Sequence, residues 1–178
     1  MSSNNQISIY TDGCAKGNPG RGGFGIVVVM PDGKQHEYSA GFKHTTNNRM
    51  ELLAVIFGLQ CASSLVFSGF QDDEEETELH KDDYSVVVYS DSRYVVDAVD
   101  KKWLDKWVKT DFAGGKKNKD LWLDYFNNSR KHFSNISFVW VKGHASNQLN
   151  NRCDKLANEA ANGSSLNEDK GYIEIINS

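Results

Sequence analysis

Residues 6–25 read QISIYTDGCAKGNPGRGGFG, an alternating segment followed by a glycine-rich one. Apolar and polar side chains alternate over Gln6–Thr11, which predicts a strand with one buried face that ends at Asp12. Six glycines and one proline lie between Gly13 and Gly25, and this composition predicts a loop. The loop leads into a second predicted strand, Phe24–Met30. The chain therefore opens with two strands, and an aspartate stands where the first one ends.

The segments beyond these two strands predict a mixed α/β fold. Pro31-Asp32-Gly33 is a turn before a third strand, Gln35–Phe42, so the first three strands form an antiparallel meander. This order of elements predicts a mixed sheet with helices on its faces. The later predicted elements are a helix over about Asn48–Leu65, a strand over Ser85–Tyr89 buried on both faces, a short helix from about Arg93, helices over Lys101–Val108 and Asp120–His132, a last strand over Ile136–Val141, a last helix over Leu149–Ala161 and an irregular tail.

Length and composition are those of one ordinary globular domain. The chain has 178 residues, of which 39% are apolar and 25% are charged. No continuous apolar run approaches the ~20 residues that cross a bilayer, and the first residues do not resemble a signal peptide. The three cysteines, Cys14, Cys61 and Cys153, are an odd number without the paired spacing of a zinc site. These features predict a single cytoplasmic domain over residues 1–178, with free thiols and no membrane segment.

Charge is distributed unevenly along the chain. The net charge is −4, but residues 72–83 carry −7 and the rest of the chain therefore carries +3. The acidic run predicts a solvated insertion at about residues 70–84. Residues 101–119 contain seven lysines and two aspartates, a local charge of +5. Such a basic stripe suits nucleic acid, although a solvated lysine-rich helix face explains it equally well.

Four carboxylates stand at places where structure alone does not require them. Asp12 and Asp91 each end a predicted strand, and if those strands are parallel neighbours both side chains emerge at the same edge of the sheet. Glu51 lies near the start of the long helix, and Asp154 lies in the first half of the helix over Leu149–Ala161. Taken singly, each acid could cap a turn or offset a helix dipole. Taken together, they predict one acidic site.

Converging carboxylates favour a divalent cation. They repel one another unless positive charge lies between them, and oxygen ligands suit Mg²⁺ or Mn²⁺ rather than zinc. Two such ions ~4 Å apart can hold an attacking water and a leaving 3′ oxygen in line across a phosphodiester. The glycine-rich segment lacks the GxxxxGK[ST] spacing of a nucleotide triphosphate cradle. Phosphodiester hydrolysis is the chemistry that this set of residues predicts.

Four motifs carry a resemblance to type 1 ribonucleases H, in the bacterial stand-alone form. They are YTDGCAKGNPGRGGFG at 10–25, TTNNRMELLAVIFGL at 45–59, YSDSRYV at 89–95 and WVKGHASNQLNNRCDKLANEAA at 140–161. The resemblance runs from Ile7 to about Tyr172. It implies an α/β ribonuclease H-like fold, with a five-stranded mixed sheet in which strands 1–3 are antiparallel, strands 4 and 5 run parallel to strand 1, and helices cover both faces.

The resemblance also implies an activity and its residues. The expected reaction is endonucleolytic hydrolysis of the RNA strand of RNA–DNA hybrids by two Mg²⁺ ions, for which Mn²⁺ can substitute, leaving 5′-phosphate and 3′-hydroxyl ends. Asp12, Glu51, Asp91 and Asp154 match the metal ligands, with Asp12 bridging both ions and Glu51 also touching a ribose 2′-hydroxyl. His144 matches a histidine of a mobile loop that assists proton transfer or product release, although a loop histidine alone would be read as a surface residue.

Substrate contacts follow from the same resemblance. Capping, core packing and solvation are the alternative roles of these residues. Arg93 stands where many relatives carry glutamine and could add a phosphate contact. The expected contacts are Cys14, Asn18, Asn47 and Asn48 in the minor groove, where 2′-hydroxyls distinguish RNA from DNA; Thr46 and Asn118 at a DNA phosphate; Trp103 and Trp107 along the DNA strand; and Lys116, Lys117 and Lys119 in a basic protrusion.

The sequence departs from the usual family pattern in two further places, and three other functions are considered. The segment from Trp103 to Trp122 is shorter than in familiar bacterial forms, and the acidic insertion is not a usual family feature. The alternatives are a domain of a reverse transcriptase, a hybrid-binding module without catalysis, and an unrelated α/β protein with accidental acids. The extent of the match, the Met1 start and the presence of all four carboxylates with His144 favour the enzyme. A monomer without an obligate protein partner is expected.

Overall fold

The strands of the chain form one mixed sheet. The computed structural model describes residues 5–67, 81–143 and 146–177. The strands are β1 (Gln6–Ala15), β2 (Gly20–Val29), β3 (Gln35–Thr45), β4 (Ser85–Ser90), β5 (Asn135–Trp140) and β6 (Leu166–Asn167). Their order across the sheet is β5-β4-β1-β2-β3-β6. The predicted antiparallel meander of β1–β3 is confirmed, as is the parallel pairing of β4 with β1 and of β5 with β4. The sixth strand, a two-residue parallel pairing with β3, was not predicted.

Helices cover both faces of the sheet, as predicted. They are α1 (Asn47–Phe67), α2 (Arg93–Asp100), α3 (Trp103–Lys109), α4 (Lys119–Asn127), α5 (Gln148–Asn162) and α6 (Lys170–Asn177). The alternation of side chains along β1 and β2 separates two apolar layers. Ile9 and Ile26 point toward α1 and belong to the main core, whereas Val27 points the other way and packs with Cys153 and Leu156 of α5.

The loop predicted from Gly13 to Gly25 was wrong. In the structure β1 continues to Ala15 and β2 begins at Gly20, so that only residues 16–19 connect them. Cys14 pairs with Gly23 in this extension. Glycine normally weakens a strand, but a Cβ at Gly13 would collide with α1, and a Cβ at Gly23 or Gly25 would collide with α5.

The predicted end of the chain also needs correction. The strand over Ile136–Val141 and the helix over Leu149–Ala161 are not the last elements, because β6 and α6 follow them. The tail is ordered by Asp169, whose carboxylate accepts the Tyr172 N–H at 3.2 Å and pairs with the buried Arg49 of α1. Tertiary contacts therefore stabilise α6 in a tail that was predicted to be irregular.

Three smaller predictions change in detail. β4 is not buried on both faces: Val86 and Val88 are buried, while Val87 and Tyr89 on the other face are half-buried. The helix predicted over Lys101–Val108 is α3 and begins at Trp103, because Lys102 before it has a left-handed backbone with φ 56°. The helix predicted over Asp120–His132 ends at Asn127, and a short 3-10 turn follows at Ser129–Lys131.

The long helix α1 is apolar enough to pass a length-and-composition test for a membrane span. It is nevertheless a core helix, since more than half of that segment is buried and it packs on β1 and β2. Of the acidic run, residues 72–80 lie outside the described residues. Lys81–Asp83 form a 3-10 turn just before β4, at the edge of the sheet opposite to Asp91.

Candidate active site

Strands β1 and β4 and helix α1 bring three carboxylates together. β1 and β4 run parallel with Thr11 opposite Ser90, so the residues that follow them, Asp12 and Asp91, are neighbours at one edge of the sheet. Glu51 reaches the same place from the second turn of α1. Ligand oxygens of Asp12, Glu51 and Asp91 all lie within 4.8 Å of one another. This edge, outside the carboxyl ends of parallel strands, is where open α/β sheets place their sites.

A glycine beside Asp12 lets α1 come this close. A Cβ at Gly13 would lie 2.4 Å from the backbone nitrogen of Glu51, so no other residue fits without moving the helix. The Glu51 carboxylate is then oriented by Ser92, whose hydroxyl donates a hydrogen bond to Oε2. The same hydroxyl accepts the N–H of Val95 at 3.3 Å and caps α2. The start of α2 therefore fixes the carboxylate of α1.

The fourth predicted acid, Asp154, approaches from the opposite face of the sheet. α5 can pack directly on β2 because a Cβ at Gly25 would lie only 2.2 Å from the carbonyl oxygen of Cys153, the residue before Asp154. Asn158 donates to the Asp154 side chain at 3.0 Å. Asp154 does not belong to the group within 4.8 Å, but it is near enough for its charge to affect Asp12.

The electrostatics of the cluster are those of a cation site. Burial raises the pKa of the Asp12 carboxyl to about 8, and the charges of Asp91, Asp154 and Glu51 contribute to this increase. Burial also raises the pKa of Glu51 to about 7, against the effect of the Ser92 hydrogen bond and with a further contribution from Asp91. Neighbouring carboxylates with raised pKa values are stabilised by a divalent ion between them. An all-oxygen donor set of this kind fits Mg²⁺ or Mn²⁺.

The raised pKa values predict that the metal-free protein is stabilised by Asp12→Asn. A carboxyl whose pKa rises on folding contributes stability below its ordinary pKa and loses it as the pH rises through the folded value, here between about pH 4 and 8. Asparagine carries no charge and still accepts the Gly13 N–H, which is 2.8 Å from Asp12 Oδ1. We expect the free energy of unfolding at pH 8.5 to increase by about 2 kcal/mol.

Urea unfolding in EDTA at pH 5.0 and 8.5 measures this difference. The matched control is Asp32→Asn, because Asp32 is an exposed turn carboxylate paired with Lys34. A variant at position 12 that is no more stable than the wild type at pH 8.5 would show that burial and the neighbouring carboxylates do not destabilise the charged form of Asp12.

The backbone of Asp91 is held from β5. Trp140 Nε1–H donates to the Asp91 carbonyl oxygen at 2.9 Å, and the Arg93 guanidinium stacks over the Trp140 ring at 3.8 Å from its centre. Arg93 also lies 3.8 Å from Asp97. This predicted substrate residue therefore stands beside the carboxylate cluster, on an aromatic support. His144, the predicted proton-transfer residue, lies outside the described residues, directly after Gly143.

A groove of about 640 Å³ holds seven of the predicted substrate residues. It runs between the loop after β1, the start of α1 and the loop before α4. Since three lysines face one groove, a phosphate backbone is the ligand that its charge favours. The predicted residues that line it are Asn18, Thr46, Asn48, Lys116, Lys117, Asn118 and Lys119.

Several of these polar side chains also hold the fold together. The Asn18 side-chain oxygen accepts the Asn47 N–H at 3.0 Å, and the Asn47 side-chain oxygen accepts the Ala15 N–H. The Thr46 hydroxyl accepts the Arg49 N–H at 3.4 Å. These two hydrogen bonds use the side-chain oxygens of Asn18 and Asn47 and not their amide nitrogens. Structural and substrate-binding roles are therefore compatible in the same residues.

A second groove, of about 610 Å³, contains both predicted tryptophans. Trp103 and Trp107 line it, and Lys116 borders this groove as well as the first one. Trp103 is exposed, whereas Trp107 is half-buried and packs edge-on against Trp122 of the core. Trp107 thus serves the core and the groove together. Cys14 lies beside the acidic cluster, and burial and the Asp12 charge raise the pKa of its thiol.

Asn118 is held in place by residues that the sequence did not single out. Its Nδ2 donates to the Tyr94 hydroxyl at 3.0 Å, and its Oδ1 lies 3.5 Å from Nη1 of Arg49. Tyr94 in turn accepts Trp122 Nε1–H at 2.7 Å. Ser92, Trp140 and Arg49 were missed in the same way. Arg49 could have been identified from the sequence as a charged residue at the start of an otherwise apolar helix face.

Comparison with known proteins gives the family. The RNase H family model matches residues 4–162. The Ribonuclease H of Trichodesmium erythraeum (strain IMS101) is 42% identical over 171 residues, which cover 94% of this chain and 96% of that protein. The crystal structure of RNase H1 from the halophilic archaeon Halobacterium salinarum NRC-1 matches with a TM-score of 0.61 and 25% identity over 87% of this chain and 96% of that one. LC11-RNase H1 in complex with an RNA/DNA hybrid matches with a TM-score of 0.61 and 28% identity over the same shares. The chain belongs to the ribonuclease H family, as a type 1 enzyme.

Proposed function

We propose that this protein hydrolyses the RNA strand of RNA–DNA hybrids internally and leaves 5′-phosphate and 3′-hydroxyl ends. The observation that carries this function is the convergence of Asp12, Glu51 and Asp91 at the edge of the sheet, in a fold whose nearby groove is lined with lysines. The family and the hybrid bound to LC11-RNase H1 support the same substrate.

The carboxylate cluster is proposed to hold two Mg²⁺ ions, with Mn²⁺ able to substitute, through Asp12, Glu51, Asp91 and Asp154. When bound, such ions activate a water nucleophile and stabilise the charge on the leaving 3′ oxygen. The raised pKa values of Asp12 and Glu51 support this assignment, because a bound cation would offset the negative charges of these buried, neighbouring carboxylates.

The chain's own residues orient these groups. Ser92 fixes the Glu51 carboxylate, and Trp140 fixes the backbone that carries Asp91. Orientation of this kind places the ligands before substrate arrives, so that no reorganisation is needed during the reaction. His144 is proposed to accept or return a proton near the scissile phosphate, from the loop that follows β5.

Selectivity is proposed to come from reading the two strands at different places. Cys14, Asn18, Asn47 and Asn48 would contact the minor groove, where only an RNA strand offers 2′-hydroxyls. The DNA strand would lie in the lysine-lined groove and along Trp103 and Trp107, with Thr46 and Asn118 at one phosphate. A DNA–DNA duplex would lack the 2′-hydroxyls, and an RNA–RNA duplex would lack the DNA strand, so neither would fit both contact regions.

We propose that residues 1–178 are one ribonuclease H domain with an acidic insertion at about 70–84. The proposed form is a cytoplasmic monomer that needs no protein partner and no membrane. The physiological substrate could be any hybrid, because the proposed contacts read sugars and phosphates rather than bases.

The experiment that tests the function compares four duplexes of one sequence, namely both hybrids, RNA–RNA and DNA–DNA. Each strand is labelled in turn, and product ends are identified by mass spectrometry. We expect cleavage only of the RNA strand in the two hybrids, with 5′-phosphate ends. Cleavage of RNA–RNA at a similar rate, or cyclic phosphate ends, would contradict the proposal.

The lysines of the groove are expected to make hybrid affinity depend on salt concentration. Lys116, Lys117 and Lys119 all line the groove, but Lys119 is already paired with Asp111 at 2.6 Å. We therefore expect Lys116→Ala/Lys117→Ala to reduce the slope of log affinity against log salt by about 2, since each lost phosphate contact changes it by about 0.9.

Fluorescence anisotropy with a labelled hybrid in EDTA, from 50 to 300 mM salt, measures this slope. The control Lys34→Ala/Lys131→Ala removes the same charge from exposed residues that do not line the groove. An unchanged slope in the groove variant, or an equal change in the control, would mean that these lysines only solvate the surface.

A further inference from the structure

The C-terminal helix forms a wall of the lysine-lined groove. Tyr172, Ile175 and Ile176 of α6 line the same 640 Å³ space as Thr46 and Asn118. Ile175 and Ile176 are 47% and 53% exposed, which is unusual for isoleucine in a folded domain. The groove therefore has one basic side and one apolar side.

A buried ion pair fixes α6 in this position. Arg49, which is 1% exposed, donates through Nε to Asp169 at 2.7 Å and through Nη2 to Asp120 at 2.6 Å. The Thr45 hydroxyl also donates to Asp169 at 2.6 Å. Asp169 immediately precedes α6 and accepts the Tyr172 N–H. The apolar wall is thus tied to the first turn of α1, next to Thr46, and to α4, next to Asn118.

We infer that α6 is a specificity-determining part of the hybrid site, in which Ile175 and Ile176 pack against the deoxyribose sugars of the DNA strand. This inference rests on the proposed function. A strand whose phosphates lie against Lys116 and Lys117 presents its sugars to the other side of the groove. Deoxyribose has an apolar C2′ methylene, whereas ribose has a hydroxyl there, and burying that hydroxyl against isoleucine is unfavourable. The helix therefore favours DNA over RNA in this strand.

The test uses equilibrium binding, which does not depend on cleavage. Fluorescence anisotropy in EDTA measures the affinity of the double variant Ile175→Ser/Ile176→Ser for two duplexes. These are an RNA–DNA hybrid and an RNA–RNA duplex of the same sequence. Because both side chains are exposed, the fold is expected to persist, and circular dichroism checks this. The control is Asn177→Ser on the same helix, which does not line the groove.

We expect the double variant to bind the hybrid about tenfold more weakly than the wild type and RNA–RNA within twofold, so that the preference for hybrid falls by about fivefold or more. Equal weakening for both duplexes, or hybrid affinity equal to that of Asn177→Ser, would overturn the inference. Loss of preference in a protein that fails to cleave hybrids would support the role of α6 and reject only the proposed chemistry.

Discussion

Asp12→Asn is expected to reduce the rate of RNA-strand cleavage at least ~1000-fold while hybrid affinity changes less than about threefold. Asp12 is the most enclosed carboxylate of the cluster, at 8% exposed, and its oxygens lie within 4.8 Å of ligand oxygens of both Glu51 and Asp91. Asparagine has the same shape as aspartate and keeps the Gly13 hydrogen bond, but it removes the charge that is proposed to hold the cations. The groove residues that are proposed to bind the duplex are unchanged in this variant.

Single-turnover cleavage, with enzyme in excess over labelled hybrid, separates chemistry from product release. Asp32→Asn serves as the control for an aspartate-to-asparagine change away from the cluster. A cleavage rate within tenfold of the wild type would remove Asp12 from the proposed metal ligands. Lost affinity together with lost cleavage would instead indicate that the variant is misfolded or that Asp12 binds the duplex directly.

Arg49→Met is expected to destabilise the fold by about 3–5 kcal/mol, because it leaves Asp169 as a buried charge without its partner. Asp169 is 5% exposed and receives two hydrogen bonds from the guanidinium, at 2.7 and 2.8 Å. The hydroxyl of Thr45 and the N–H of Tyr172 remain, but neither carries a positive charge. The variant should lose α6 before the rest of the domain unfolds.

Urea unfolding at pH 7 gives the free energy, and hydrogen exchange of residues 170–177 reports on α6. Arg152→Met is the matched control, since Arg152 makes an exposed pair with Glu37 at 2.7 Å and should cost less than about 1 kcal/mol. Replacing both partners, as in Arg49→Met/Asp169→Leu, should recover part of the loss. Similar effects for positions 49 and 152 would refute the buried-pair account.

The acidic cluster could be predicted from sequence because strand ends fix positions. Asp12 and Asp91 each follow a predicted strand, and parallel neighbours must deliver both residues to one edge. In the structure β1 continues past Asp12 to Ala15, but its parallel pairing with β4 ends at Thr11 and Ser90, so the two residues still lie side by side. The helix that carries Glu51 was predicted to within one residue at its start, Asn48 against Asn47. Geometry of this kind depends on topology, which the order of elements already constrains. The roles of these residues in catalysis remain predictions.

Contacts between distant segments could not be predicted. Glycine composition alone indicates a loop between β1 and β2. The structural reason for several of these glycines is the close approach of α1 and α5, and both helices come from distant parts of the sequence. The tail from Leu166 onward is short and carries Gly171 inside its helix, and its order depends on Arg49, more than 100 residues earlier in the chain. Hydrogen bonds that orient Glu51 and Asp91, from Ser92 and Trp140, likewise depend on side-chain positions in three dimensions.

The most direct test of the central claim is the cleavage of a hybrid's labelled RNA strand by EDTA-treated protein as MgCl₂ is added back. We expect no cleavage in EDTA, and cleavage confined to the RNA strand that increases with Mg²⁺ until the site is saturated. Undiminished cleavage in EDTA, or no cleavage of a bound hybrid in either Mg²⁺ or Mn²⁺, would contradict it.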